Sequence, residues 1–140
     1  MKQRGFTVIE IIVITTFIFA AAMLFIVQTN NIQVANRDSR RKTAINAMYY
    51  SLEENFYAIN KFYPSQISEK NLTTMDAALF TDPNGVKLGQ TSQTIDDQTV
   101  SVQSDYRYEA VGCTNDQCKG YTLRAALENE ADFIKKSRNN

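Results

Sequence analysis

From Phe6 to Val27 the chain is apolar on every side, and Glu10 is the one charge within that run. At about 1.5 Å per residue, a helix of that length reaches roughly 33 Å, enough to cross a hydrocarbon core about 30 Å thick. Polar residues take over from Gln28 to Thr43. From Ile45 the spacing changes again. Ile45, Met48, Tyr49, Leu52, Phe56 and Ile59 recur at the interval of one helical stripe, with Lys42, Asn46, Tyr50 and Glu53 on the opposite face. Neither glycine nor proline interrupts the stretch between Gly5 and Pro64. The pattern therefore predicts one helix over 6–60, a span of roughly 80 Å, whose first half suits a membrane and whose last third packs on a domain.

Tyr63-Pro64-Ser65 is expected to end that helix, because the residue before a proline is pushed out of the α region. Residues 61–98 read as a loop-rich connection. Within it, Thr73 or Thr74 caps a short helical turn through Leu79, and Asp82-Pro83-Asn84-Gly85 marks a tight turn. The remainder, 99–140, reads as antiparallel sheet. Tyr106, Tyr108 and Ala110 alternate with Arg107, Glu109 and Val111. Tyr121, Leu123, Ala125 and Leu127 alternate with Thr122, Arg124, Ala126 and Glu128. A third strand runs from Asp132 to Ser137. The expected class is α+β, a long N-terminal helix packed on a small antiparallel sheet of about three strands.

Charge orients this architecture. Lys2 and Arg4 flank the apolar run, and no further basic residue follows until Arg37. The excess of positive charge places 1–4 in the cytoplasm and everything after Val27 outside. The totals are balanced, fifteen basic against fifteen acidic residues, which disfavours a strongly electrostatic nucleic-acid binder. Outside the membrane a disulfide between Cys113 and Cys118 is the natural state of the two cysteines, two free thiols at a hairpin tip being the alternative. With Cys113 opposite Cys118, the register sets Ala110 against Tyr121, Tyr108 against Leu123 and Tyr106 against Ala125, all on one face. It also sets Arg107 against Arg124, a repulsion that Glu109 on the diagonal relieves. Closing so short a loop contributes about 2 kcal/mol by the loop-length relation.

Three readings compete for the N-terminus. A secretory signal peptide accounts for Ala20-Ala21-Ala22 as a cleavage site but not for Glu10, since a carboxylate in the apolar region opposes insertion by roughly 2.5 kcal/mol or more. A plain membrane anchor treats Glu10 as an accident. The third reading starts from Lys2-Gln3-Arg4-Gly5, followed by Phe6-Thr7-Val8-Ile9-Glu10 and about twenty apolar residues. This stretch resembles the start of a type IV pilin or of a related pseudopilin. The resemblance implies a leader, 1–5, removed by a prepilin peptidase that cuts between Gly5 and Phe6 and then methylates Phe6. It implies that Glu10 pairs with the Phe6 amine of a neighbouring subunit during assembly. It also implies partners: identical subunits in a helical filament, the peptidase-methylase, an assembly platform with its motor ATPase, and the cytoplasmic membrane before assembly. Carrying Glu10 points to a subunit of the shaft. A pseudopilin of a secretion or competence machine is the alternative within the superfamily, and a membrane-tethered binding domain is the alternative outside it.

In many such pilins a glycine and a proline loosen the apolar helix; Phe19 and Val27 stand at those places here, so a continuous helix is expected. Any soft stretch falls at Thr29-Asn30-Asn31. The basic cluster Arg37, Arg40, Arg41 and Lys42 reads as a solvated or subunit-facing surface partly neutralised by Asp38. Contact with DNA is conceivable but unsupported. Asp82, Asn84, Asp96, Asp97 and Asp116 offer oxygen ligands without the spacing of a calcium loop, so no metal or cofactor is expected. The chain has no histidine, and it shows no nucleophile–base arrangement or phosphate loop, so no enzyme and no catalytic residue is expected either. Asn71-Leu72-Thr73 fits a glycosylation sequon weakly.

Overall fold

The computed structural model describes residues 7–139. Two units make up the chain, the first ending at Asn36 and the second running from Arg37. A single helix, α1 (Val8–Tyr50), passes through Phe19, Val27 and Asn31 without interruption. It continues as a six-residue π-helical turn (Ser51–Phe56) and a last α-helical turn, α2 (Tyr57–Asn60). In the first unit the apolar side chains are open to solvent, from 47% for Ile14 to 77% for Val8. Such a surface is stable only under a lipid or protein cover.

The second unit is α+β: the C-terminal part of the long helix packs on small antiparallel sheets. Ala44, Ile45, Met48 and Leu52 bury against Tyr106, Tyr121, Leu123 and Ala125 of the main sheet, with Tyr63, Leu72 and Phe80 closing the core. The helical stripe is thus buried as far as Leu52 and partly at Phe56, but it fails at Ile59. Ile59 is 81% exposed, while Glu53, expected on the solvent face, is only 6% exposed. The π turn explains both. The Tyr57 N–H donates to the Leu52 carbonyl five residues back, so each turn takes up an extra residue and the phase slips. Ser51, Leu52 and Glu53 consequently face inward one after another.

The helix also ends sooner than Pro64 requires. Lys61 takes a left-handed conformation (φ 64°) and donates its N–H to the Tyr57 carbonyl, the usual way a helix satisfies its last carbonyls. The chain then forms β1 (Tyr63–Pro64). The expected threonine-capped turn is instead a 3₁₀ turn, Ala77–Phe80, capped by Asp76, whose carboxylate accepts from the Ala78 N–H at 2.9 Å. At the Asp82 turn, Gly85 supplies the positive φ (84°) that the tight reversal needs.

Within 61–98, read as loop, the chain forms a hairpin strand β2 (Ser92–Ile95) paired with β3 (Gln98–Ser101). Each strand carries a single apolar residue, Ile95 or Val100, so hydrophobic periodicity could not reveal it. The main sheet has the order β4-β6-β7, from β4 (Tyr106–Val111), β6 (Gly120–Ala125) and β7 (Phe133–Lys136). Between β4 and β6, β5 (Gln117–Cys118) pairs with β1. The β4–β6 register is Tyr106 with Ala125, Tyr108 with Leu123 and Ala110 with Tyr121, as the cysteine positions imply. Arg107 does oppose Arg124, but Asp132, not Glu109, relieves the charge, at 3.2 Å from the Arg124 guanidinium.

Candidate functional site

Gly5 and Phe6 lie outside the described residues. Glu10 stands in the first turn of α1, and its surroundings are local. Its Oε2 accepts hydrogen bonds from the Thr7 N–H at 2.9 Å and the Thr7 hydroxyl at 3.0 Å, while its own N–H donates to Thr7 Oγ1 at 3.3 Å. This is a reciprocal capping box, which the spacing Thr7-Val8-Ile9-Glu10 could have announced. The helix N-terminus thereby gains both a satisfied donor and a negative charge where its dipole favours one. The other carboxylate oxygen, Oε1, takes no partner among the described residues. Farther along, Thr15, Thr16 and Thr29 turn their hydroxyls back onto carbonyls three or four residues earlier, which satisfies those hydroxyls within the helix.

In the second unit, Cys113 and Cys118 form a disulfide. The four residues it encloses turn through Asn115 and Asp116, both left-handed (φ 50° and 64°). The bridge is coupled to the helix end, because Cys118 pairs with Tyr63 in the β1–β5 ladder and Asp116 accepts from the Ser65 hydroxyl at 2.8 Å.

The basic cluster is largely consumed inside the unit. Arg41 is 1% exposed; it donates to Asp38 at 2.8 Å, to Glu128 at 2.7 Å and to Asp105 at 2.7 Å. Arg37 engages both oxygens of Glu128, and Lys42 pairs with Glu130. Asp38 accepts in addition from the Glu128 and Asn129 N–H groups, which fixes the turn that precedes β7. Burial pushes the Asp38 carboxyl up, but these N–H donors and the Arg41 guanidinium outweigh it and hold the group below its ordinary range. Glu128 is held down to about 2, first by the hydrogen bond from Arg37 and then by that from Arg41. Arg40 alone of the four takes no acidic partner among the described residues.

The acidic loop residues do not converge. Asp82 is buried and spends its carboxylate on the N–H groups of Asn84, Val86 and Asp105, tying the connection to the start of β4. Among the described residues, no three side chains of His, Cys, Asp or Glu are grouped to hold a metal ion. Asn71 of the sequon is engaged as well: its Nδ2 donates to the Gln66 carbonyl and its Oδ1 accepts from the Ser68 N–H.

One arrangement had no signature in the sequence. Glu53 accepts from the hydroxyls of Tyr121 (2.8 Å) and Tyr63 (3.0 Å) and from the Arg138 N–H (3.2 Å). Burial first, and then the Glu53 carboxylate, push the Tyr121 hydroxyl well above its usual range, so both tyrosines serve as fixed donors. The carboxylate joins helix, main sheet and C-terminal segment at one point. Comparison of the chain with family models, with curated proteins and with solved structures returned no match.

Proposed function

We propose that this chain is a type IV pilin precursor: a structural subunit cut after Gly5, methylated on Phe6 and polymerised into the shaft of a helical surface filament. The observation that carries the reading is a helix apolar on all sides from Val8 to Val27, open to solvent throughout, with one carboxylate at its head. A bilayer covers such a helix before assembly, and identical helices cover it afterwards. Transfer from one to the other exposes little apolar surface to water, so a motor can extract the subunit at moderate cost. Glu10 gives that transfer a direction. Cleavage after Gly5 creates a positive amine on Phe6, and an acid in a low-dielectric surround is strongly favoured beside such a partner. A one-pass anchor for a solitary domain has the same apolar face but no use for the acid.

The test has three parts. Sheared surface filaments seen by electron microscopy should consist of this chain, with an N-terminal mass matching methylated Phe6. Gly5→Val should leave the leader in place. Glu10→Ala should be processed yet assemble poorly. Normal filaments from Glu10→Ala remove the pairing, and an absence of filaments from the wild type removes the reading.

A further inference from the structure

The hairpin β2–β3 costs more than it returns in a single subunit. Its strands carry Thr94, Thr99 and Val100 exposed. A lone two-stranded hairpin of this kind is marginal in water. Its two-residue turn requires left-handed backbone, for which Asn-Gly is the favoured pair. The turn is instead Asp96-Asp97 (φ 49° and 62°), two like charges side by side in a left-handed conformation that glycine adopts more easily. Neither aspartate has a basic partner among the described residues.

A surface of opposite character lies elsewhere on the same unit. A groove of about 820 Å³ opens where the helix ends, between Tyr57 and Phe62 on one side and the disulfide loop on the other. Its lining includes Lys61, Lys119 and Arg138 and no acid among the described residues. Arg138 is already engaged, by Glu54 at 2.6 Å and by the Tyr49 hydroxyl. Lys61 and Lys119 have no acidic partner among the described residues. Lys61 repeats the local cost seen at the hairpin tip, since it is a lysine at the left-handed helix stop where glycine or asparagine is the easy choice. Lys119 is held in place because Gly112 (φ 67°) lets its stem lie close; a Cβ there would meet the Lys119 Cβ at 3.3 Å.

We infer that the acidic tip Asp96-Asp97 of one copy docks into the Lys61–Lys119 groove of another. The inference rests on the filament reading for its setting. Tip and groove lie on different parts of one subunit, so the contact is head-to-tail and propagates from copy to copy. It covers the bare hairpin and neutralises charges that the monomer carries at a backbone cost.

Zero-length carbodiimide coupling, which joins a carboxylate only to an amine in contact with it, tests this on the wild-type full chain in sheared filaments and in detergent extracts. The dimer band should contain a peptide linking Asp96 or Asp97 to Lys61 or Lys119. The variants Asp96→Asn/Asp97→Gly and Lys61→Asn/Lys119→Gln place easier residues at the left-handed positions 61, 96 and 97 and leave position 119 unstrained, so their melting temperature should be unchanged or higher. Their filament yield should nevertheless fall about tenfold, the scale of a lost interfacial charge pair. Reversal at both sites, Asp96→Lys/Asp97→Lys with Lys61→Asp/Lys119→Asp, should restore assembly. Filaments that lack the link, or neutral variants that assemble like the wild type, overturn the contact and leave the filament reading standing. The link found in extracts of a chain that makes no filaments does the reverse.

Discussion

Glu10 caps its own helix, and a single substitution can separate that task from the subunit pairing proposed for it. In the capping box its carboxylate acts as a hydrogen-bond acceptor for Thr7, a task glutamine also performs. In the proposed subunit pairing it would act as a charge, which glutamine lacks. Glu10→Gln should therefore keep the helix start and lose assembly, whereas Thr7→Ala should fray the first turn, costing about 1 kcal/mol, and still assemble. Filament yield from the two variants checks this, and normal assembly of Glu10→Gln would reduce Glu10 to a cap. Glu53 is a residue of the opposite kind, with no role outside the fold. Glu53→Ala leaves the Tyr63 and Tyr121 hydroxyls and the Arg138 N–H without their acceptor, and should lower stability by about 3 kcal/mol, read as a fall in melting temperature. The sequence displayed Glu10 because a charge in an apolar run is conspicuous. It concealed Glu53, whose position on the helix reads as solvent-facing until a turn of different pitch is known to precede it.

At the scale of elements, legibility followed local pattern. The β4–β6 hairpin was readable to the residue because apolar and polar positions alternate and two cysteines pin the register. The long helix was readable because nothing in it breaks a helix, yet its pitch was not, since no residue type marks a π turn. The β2–β3 hairpin escaped because its only apolar residues, Ile95 and Val100, stand one per strand and make no alternating run within either. The disulfide closes so few residues that its chain-entropy contribution is about 2 kcal/mol. Reduction should thus lower the melting temperature without unfolding the unit, since the β4–β6 ladder and the aromatic contacts Tyr63–Tyr121 (4.8 Å between ring centroids) and Tyr108–Tyr121 (5.6 Å) remain. Unfolding on reduction at neutral pH would show that the bridge holds β5 against β1 as well.

On the scale of the whole unit, the ion-pair network around Arg41 decides the response to acid. Glu128 titrates about 2 in the folded state against an ordinary 4.5, so the folded form binds its proton less readily than the unfolded one. Its contribution to stability is complete above pH 4.5 and is lost as pH falls towards 2; the depressed Asp38 adds a loss of the same sign. Melting temperature should be flat near neutrality and fall through this window, and Glu128→Gln should start lower and show a shallower fall. A wild-type profile that is level down to pH 2 would remove the network from the account. The same contacts bear on the order in which the unit forms. The disulfide joins residues five apart, whereas Arg41 meets Glu128 across 87 positions and Tyr63 meets Tyr108, Tyr121 and Cys118 across at least forty. Local pairing is fast, and distant contacts wait on the entropy of closing long loops. Pairing of the two cysteines therefore presets strand register at little entropic cost, whereas docking of the helix must close the long loops. A chain halted before that docking would present a finished hairpin and an unpacked helix, the form a folding catalyst or protease would meet first.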